Sequence, residues 1–310
     1  MNTTASSDEK ILAALAHGSV FLMFLGPVIP AILWASQRKK SKYVSFHALQ
    51  AMGYQAFYFW LAMIVWVLVM LLFVCLIPIF VSFIESSWDP AVAPFLFQIP
   101  IFLIVFGFLG LFFILGIAGA VSCLLGRDFR YPLLGTWLER YLGYDTTPES
   151  QIIETQEDNW VAGICHATAI LQLWGVVTPL IVWFSQKERS ARLRFQSMQA
   201  FLYQIIAFAV YMLGMGVYMA FMIGIFMITL TGGTAGGGNE LQGLSAFMMT
   251  GFFIVMMIFA VVVMIGMPIY YLLAGVAGFR VIRGHQFRYP ILGKIIDKRM
   301  NTSQSLEPIS

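Results

Sequence analysis

The chain has 310 residues, of which 60% are hydrophobic and only 11% are charged. Average soluble chains carry about 25% charged and about 45–50% apolar residues, so this composition excludes an ordinary soluble domain. The net charge of +3 is too small to favour nucleic acid as a partner. A mean hydropathy of +0.83 predicts an all-α protein that crosses a lipid bilayer several times.

The amino terminus does not resemble a secretory signal. It lacks the basic region of such a signal, and the apolar segment that follows is longer than a signal's apolar core. We therefore expect an unprocessed chain. The cysteines, Cys75, Cys123 and Cys165, lie within or beside apolar segments, at spacings too wide for a zinc or redox motif. They are interpreted as small buried hydrophobic residues, and no metal or cofactor is predicted.

Three apolar segments follow one another in the first half of the chain, at residues 11–34, 46–84 and 95–125. About 20 apolar residues span the bilayer core, so each segment is long enough to cross. The second segment is too long, because a helix of 39 residues extends about 58 Å against a core of about 30 Å. We expect its first turns, up to about Ala56, to lie outside the core or to be covered by other helices.

The same pattern returns in the second half. Residues 17–55 align without a gap onto residues 166–204, and 15 of the 39 aligned positions are identical. A second block, residues 126–135, matches residues 284–293 and contains Phe-Arg-Tyr-Pro in both copies. Such self-similarity indicates a duplicated unit. The predicted organisation is a first membrane repeat at 8–145, a polar linker at 146–155, a second membrane repeat at 156–300 and a polar tail at 301–310.

Positive charges distinguish two topologies. With an even number of crossings per repeat, all 18 lysines and arginines face one side of the membrane, whereas three crossings per repeat split them 7 against 11. The positive-inside rule therefore favours an even number of crossings, parallel repeats and cytoplasmic basic loops.

The first segment of each repeat is the best candidate for a segment that does not cross the membrane. Gly26 and Pro30 interrupt it in the first repeat, and Gly175 and Pro179 stand at the matching positions of the second. Proline removes a backbone donor and disfavours helix at the residue before it. Two interpretations stay open. We favour a re-entrant pair of half-helices covered by protein, and the alternative is a kinked helix that spans, which gives six crossings and inverted repeats.

The motifs of both repeats resemble a known family. An Ala-Leu-Ala-His start at residues 14–17, Phe-His-Ala-Leu-Gln-Ala at 46–51 and the Phe-Arg-Tyr-Pro box at 129–132 look like a bacterial membrane domain of unknown function. That domain is usually grouped with the "Tic-twenty" type of import component in the chloroplast Tic translocon. The resemblance implies a tandem fusion and a remote link to protein import, but no settled activity, substrate or cofactor. We expect a multi-pass protein of a bacterial plasma membrane.

Two histidines inside apolar segments are candidate functional residues. His17 and His166 occupy equivalent depths in the first segments, where an ionisable side chain is a candidate proton relay or ligand. The favoured interpretation is a neutral imidazole that hydrogen-bonds a neighbouring helix, because no acidic partner lies inside any membrane segment. A metal or haem shared by this pair has little support, since no further ligand lies at a suitable spacing.

A polar stripe follows the basic loop in each repeat. Its residues advance by three and four positions, so they share one helical face. The stripe is a candidate groove for a partner or cargo, or else a set of interhelical hydrogen bonds worth about 0.6–2 kcal/mol per contact. It comprises His47, Gln50, Tyr54 and Gln55 in the first repeat and Gln196, Gln199, Tyr203 and Gln204 in the second.

The Phe-Arg-Tyr-Pro boxes open short amphipathic stretches, which we predict to be helices in the membrane interface. Pro132 and Pro290 suit the first turn of these helices. The basic loops Arg38–Lys42 and Lys187–Arg194 would lie over anionic lipid and attract it, at about 1 kcal/mol for each Lys or Arg near the surface. The boxes are Phe129, Arg130, Tyr131 and Pro132 in the first repeat and Phe287, Arg288, Tyr289 and Pro290 in the second.

Three classes of function are compared. A non-enzymatic scaffold, or an assembly or translocation factor, agrees with the resemblance and with the basic face, and its predicted partners are the bilayer and other membrane proteins. The alternative is a small-solute transporter or channel with a site between the repeats, although the membrane segments lack Asp, Glu, Lys and Arg. An enzyme has the least support, since no segment contains a nucleophile–base pair or paired carboxylates.

Overall fold

A computed structural model of the chain describes residues 5–87, 93–145, 151–234 and 239–305. Within these ranges the regular elements are helical, which confirms the prediction of an all-α membrane protein. The first repeat contains α1 (Ser7–Gly18), α2 (Val28–Gln37), α3 (Lys42–Ser87), α4 (Ala93–Leu124) and α5 (Leu134–Leu142). The second contains α6 (Glu154–Ala167), α7 (Val177–Gln186), α8 (Ala191–Thr234), α9 (Asn239–Ile282) and α10 (Leu292–Ser305).

The first apolar segment of each repeat folds back on itself. Ser41, which follows α2, donates a hydrogen bond from Oγ to Glu9 Oε1 near the start of α1, at 2.5 Å. Ser190, which follows α7, donates from Oγ to Asp158 Oδ2 near the start of α6, at 2.6 Å. The two ends of each segment therefore lie side by side. This geometry agrees with the re-entrant interpretation, because α1–α2 and α6–α7 each enter and leave at the same end of the molecule.

The turn of each hairpin is built in the same way. By length and composition Glu154–Gln186 is one of five stretches that could cross a membrane, but a straight helix of that length would be about 50 Å long. Its ends could not then meet. The backbone turns at Gln172, with φ 52° and ψ −124°, and the matching residue Met23 has φ 48° and ψ −108°. Positive φ is uncommon outside glycine, so its recurrence at one position of both repeats marks a defined turn.

The long helices have a covered part and an exposed part. In α3, apolar side chains from Val44 to Ala56 are buried by the hairpins and the other repeat. Farther along, Leu61, Leu68 and Val74 are 50%, 60% and 64% exposed. The prediction that the first turns of this helix are covered is therefore confirmed. The exposed apolar surface of the remaining turns suits contact with lipid.

The two repeats join at the end that carries the basic loops, which we call the basic end. Arg38, after α2, donates from Nη1 to Gln186 Oε1 at the end of α7, at 3.2 Å. Trp160 of α6 donates from Nε1 to Leu49 O of α3, at 3.0 Å. Because the ends of α2 and α7 meet, the repeats run parallel and their basic loops share one end. This shared end is what the even-crossing interpretation requires.

A buried ion cluster lies at this junction. The side chain of Arg38 is 3% exposed, and its Nε donates to Glu157 Oε2 at 2.7 Å. The same guanidinium contacts Asp158, and Trp34 Nε1 donates to Glu157 Oε1 at 2.6 Å. The prediction that the whole loop after α2 faces lipid is wrong for Arg38, which joins the repeats instead. Lys39, whose side chain is 66% exposed, forms an ion pair with Glu154 at 3.1 Å on the surface of this end.

Some predicted boundaries differ from the structure. Helix α6 begins at Glu154, so the last two residues of the predicted linker are helical, and α10 continues through the first five residues of the predicted tail to Ser305. Pro132 and Pro290 lie in the turns before α5 and α10 rather than in their first helical turns. These differences leave the division into two repeats unchanged.

Candidate functional site

A glutamine of the polar stripe holds each Phe-Arg-Tyr-Pro box. Gln50 Nε2 donates to Phe129 O at 3.1 Å, and Gln50 Oε1 accepts a hydrogen bond from Tyr131 N at 2.8 Å. Gln199 makes the same pair of bonds to the second box, at 3.1 Å and 3.0 Å. Both glutamines are fully buried. The box has no regular structure of its own, so this pair of bonds fixes its position against the long helix.

Replacing Gln50 with leucine is expected to lower the free energy of unfolding by about 1–3 kcal/mol, because the buried Tyr131 N–H loses its acceptor. Gln199→Leu should cost a similar amount, since the second repeat has the same geometry. Denaturant unfolding of both variants in detergent micelles measures the effect. A change below about 0.5 kcal/mol, the range of ordinary surface substitutions, would contradict the proposed clamp.

The remaining stripe residues also bond helices together. Tyr54 Oη donates to Phe112 O at 3.1 Å, and its ring stacks on Tyr131 with 3.9 Å between centroids. Gln55 Nε2 donates to Ser19 Oγ at 2.9 Å. The corresponding contacts of the second repeat join Tyr203 to Tyr270 and Tyr289, and Gln204 to Cys165. Most of the stripe is thus an interhelical interface, while Gln204 also lines a cavity between the repeats.

His17 lies in a buried hydrogen-bonded chain in the first repeat. Its Nδ1 is 3.0 Å from Tyr131 Oη, and its Nε2 is 3.0 Å from His47 Nδ1. His47 Nε2 is in turn 3.0 Å from Asp128 Oδ1. As expected from the sequence, no acidic residue of a membrane segment takes part, but the loop after α4 supplies Asp128 from outside these segments. The other three residues of this hydrogen-bonded chain are buried, namely Tyr131, His17 and His47.

The carboxyl group of Asp128 is ionised at neutral pH. Burial alone would raise its pKa, but hydrogen bonds from His47 and Arg130 outweigh burial and lower the pKa to about 2. Arg130 contacts Asp128 at 2.6 Å and Glu139 at 3.1 Å, so its charge is shared between two carboxylates. An ionised carboxylate only accepts hydrogen bonds. It follows that His47 Nε2–H donates to Asp128, His17 Nε2–H donates to His47 Nδ1, and Tyr131 O–H donates to His17 Nδ1.

Cys123 extends this chain into a cluster of possible metal ligands. Its Sγ is 3.5 Å from His47 Nδ1. His17, His47 and Cys123 each present one ligand atom, and these atoms lie within 4.8 Å of one another. Sequence reasoning missed the cluster because its members come from three segments and no local motif joins them. The prediction that the cysteines are buried holds for Cys123 and Cys165 but is wrong for Cys75, which is exposed.

The second repeat keeps the frame of this cluster but not its ligands. His166 Nδ1 is 3.2 Å from Tyr289 Oη, as in the first repeat, whereas its Nε2 meets Gln196 Oε1 at 2.9 Å. Val281 stands at the position equivalent to Cys123, and Gln286 at the position equivalent to Asp128. Each of the two predicted histidines is therefore bonded within its own repeat, and not to the other.

The two structural repeats correspond to two matches with one protein family. The profile of the magnetosome magnetite crystal formation protein family matches residues 8–138 and 157–296. The chain belongs to the magnetosome magnetite crystal formation protein family. Comparison with curated proteins and with solved structures gave no match.

Membership of the magnetosome magnetite crystal formation family confirms the duplicated membrane unit. The matched ranges begin within α1 and α6 and end within α5 and α10, so each match covers nearly all of one repeat. The match gives no support to the Tic-type relation that the motif string suggested. The chain is thus a tandem, multi-pass membrane member of this family.

Proposed function

We propose that this member of the magnetosome magnetite crystal formation family is a non-catalytic scaffold in the membrane on which the mineral forms. The observation that carries the proposal is the division of the molecule into two parts. The basic end is a closed platform held by buried polar contacts, and the long helices beyond it present apolar grooves to the membrane. A rigid platform with lateral grooves suits the gathering of lipids and neighbouring helices.

The apolar grooves lie between the long helices of each repeat. In the first repeat a cavity of about 250 Å³ between α3 and α4 is lined by Ala62, Val65, Val69, Ile104 and Phe108, among others. In the second, a cavity of about 260 Å³ between α8 and α9 is lined by Leu213, Val217, Phe221, Val255 and Phe259, among others. Apolar linings of this kind accept acyl chains or apolar helices, because neither brings an unsatisfied polar group.

The basic end of the scaffold would face the cytoplasm. The positive-inside rule gives this orientation, since the loops carrying most of the cations share that end. The exposed side chain of Lys39 and its neighbour Lys40 would attract anionic lipid. A role in protein import, as implied by the Tic resemblance, rests on the motif string alone and is not needed by this proposal.

The proposal is tested by complementation in a magnetite-forming bacterium from which the family's genes have been removed. The wild-type chain should restore the number and size of the crystals. Val65→Trp, which fills the groove of the first repeat, should reduce this restoration. Leu68→Trp adds the same bulk to a residue that is 60% exposed, outside the groove, and should not. Unchanged crystals with the wild-type chain, or equal behaviour of the two variants at equal membrane levels, would contradict the scaffold.

A transporter with a site between the repeats is the second candidate. A cavity of about 430 Å³ is lined by Phe24 of the first repeat and by Gln172, Gln204 and Tyr270 of the second, among others. The Oε1 atom of Gln204 is buried there without a hydrogen-bond partner among the described residues. Solute flux into proteoliposomes separates the two candidates. The scaffold predicts flux equal to that of protein-free vesicles, whereas a transporter predicts saturable uptake that Gln204→Leu reduces.

A further inference from the structure

The geometry points to a transition-metal site in the first repeat, with His17 Nε2, His47 Nδ1 and Cys123 Sγ as its ligands. The ion would be a divalent metal that prefers nitrogen and sulfur, of the Zn²⁺ class. Asp128 and Tyr131 act as positioning residues that orient the two imidazoles. The site is independent of the proposed scaffold function, because it depends only on these side chains.

The distances between the ligand atoms suit a tetrahedral ion. With metal–nitrogen bonds of about 2.0–2.1 Å and metal–sulfur bonds of about 2.3 Å, such an ion holds two nitrogens about 3.3 Å apart and a nitrogen and a sulfur about 3.6 Å apart. His17 Nε2 and His47 Nδ1 are 3.0 Å apart, and His47 Nδ1 and Cys123 Sγ are 3.5 Å apart. The third pair, His17 Nε2 and Cys123 Sγ, lies within 4.8 Å, so side-chain shifts that bring these two atoms closer would complete the coordinating arrangement.

The outer nitrogen of each imidazole already has a partner of the kind that metal sites use. Metal-bound histidines usually donate their other N–H to a carboxylate, a carbonyl or another polar group, which fixes the ring. His47 Nε2 is 3.0 Å from the Asp128 carboxylate, and His17 Nδ1 is 3.0 Å from Tyr131 Oη. The inner nitrogens thus converge while the outer ones are held, which preorganises the ligands.

The changes in protonation and charge that accompany metal binding can be assigned to individual residues. The Cys123 thiol releases its proton to solvent as the sulfur–metal bond forms. The His17 proton moves from Nε2 to Nδ1, which then donates to Tyr131 Oη, so the imidazole stays neutral. The thiolate and the Asp128 carboxylate together offset the two positive charges of the ion, and Arg130 is offset by Glu139. Binding of the ion with release of one proton therefore adds one positive charge, which neutralises the net charge of −1 that Asp128, Glu139 and Arg130 carry together without the ion.

The second repeat is an internal comparison that separates ligation from folding. It preserves the histidine, the tyrosine and the clamp on the box, so the fold does not require the other residues of the cluster. It replaces His47, Cys123 and Asp128 with the non-coordinating or neutral side chains of Gln196, Val281 and Gln286. The second repeat thus lacks two of the three proposed ligands, and it also lacks the carboxylate that orients one of them.

The test is a Co²⁺ titration of the full-length protein, purified in detergent and freed of metal with a chelator. One Co²⁺ per chain should bind, with a thiolate-to-cobalt charge-transfer band in the near ultraviolet and the intense visible bands of a tetrahedral ion. Zn²⁺ should displace it and abolish both signals. Cys123→Val, which introduces the residue found at Val281, should remove the charge-transfer band. Cys165→Ala, which introduces the residue found at Ala16, is the matched control and should keep it.

Two further variants keep the proposal falsifiable if Cys123→Val does not fold. Asp128→Asn should weaken Co²⁺ binding by about 10–100-fold, as for other residues that orient a ligand, and should keep the charge-transfer band. His47→Gln, the residue found at Gln196, should weaken binding further than that. Absence of the band in the wild-type protein, or its persistence in Cys123→Val, would overturn the site. So would equal Co²⁺ affinity in the wild-type protein and His47→Gln.

Discussion

Replacing Arg38 with alanine is expected to lower the free energy of unfolding by about 3–5 kcal/mol. Of the substitutions proposed, only Trp160→Ala is expected to have an equally large effect. The reason for the loss in Arg38→Ala is that Glu157, with a side chain only 5% exposed, would be left as a buried carboxyl group without the guanidinium that compensates it. Asp158 would lose the same partner. Unfolding in detergent micelles, followed by far-ultraviolet circular dichroism, measures the change. Adding Glu157→Gln to Arg38→Ala should recover part of the loss, because the two residues are directly coupled.

The duplication supplies a matched control for Arg38. Lys187 stands at the equivalent position of the second repeat, with a side chain 37% exposed and an ion pair to the exposed Glu188 at 4.0 Å. Exposed pairs at such distances contribute about 0–1 kcal/mol. Lys187→Ala should therefore change the stability by no more than that. Equal losses in the two variants would show that the buried junction is not what makes Arg38 important.

Replacing Trp160 with alanine is expected to cost about 3–5 kcal/mol, as for other buried aromatic side chains. Its side chain is 1% exposed, and its indole N–H donates to Leu49 O across the junction. Gly53 of α3 makes room for the ring, because a Cβ there would lie 2.2 Å from Trp160 Cζ2. Gly53→Leu, which introduces the residue found at Leu202, should therefore also destabilise the protein. Thermal unfolding in micelles measures both variants.

The control for Trp160 is again its equivalent in the other repeat. Ile11 occupies the matching position in α1 and is 55% exposed. Ile11→Ala should have a small effect, within about 0.5 kcal/mol, as for surface substitutions in general. If Ile11→Ala and Trp160→Ala destabilise the protein equally, the account of the junction fails.

The features that the two repeats share could be predicted from the sequence. The glycine and proline at the hairpin turn, the glutamine that clamps the box and the tyrosine that stacks on it occur in both copies, so the alignment identified them. The same alignment gave no information on contacts made by residues that differ between the copies. The contact between Trp160 of the second repeat and Gly53 of the first has no counterpart between the equivalent residues. The reason is that a junction between parallel copies brings different faces of the two copies together.

Long-range polar contacts were the second class that sequence reasoning missed. Arg38 was assigned to a lipid-facing loop, since a basic residue beside an apolar segment is normally an anchor. Its carboxylate partners lie in the helix that follows the linker, which no local pattern indicates. Cys123 was likewise interpreted by itself, and Asp128 was not a candidate residue. Only the hairpin, which folds α1 against α3 and α4, brings His17 to them.

The two repeats are expected to lie parallel in the membrane, each with a re-entrant first segment. Single-cysteine labelling in intact cells tests it most directly, in a variant that lacks the three native cysteines. Lys40→Cys and Arg189→Cys place reporters at equivalent exposed positions of the two basic loops. Ser87→Cys and Gly236→Cys report on the connections that follow α3 and α8.

The account predicts that an impermeant reagent labels Ser87→Cys and Gly236→Cys in intact cells. Lys40→Cys and Arg189→Cys should react only after the membrane is permeabilised. Labelling of Arg189→Cys from outside, with Lys40→Cys protected, would contradict it. That result would mean inverted repeats with spanning first segments, and it would favour the transporter over the scaffold.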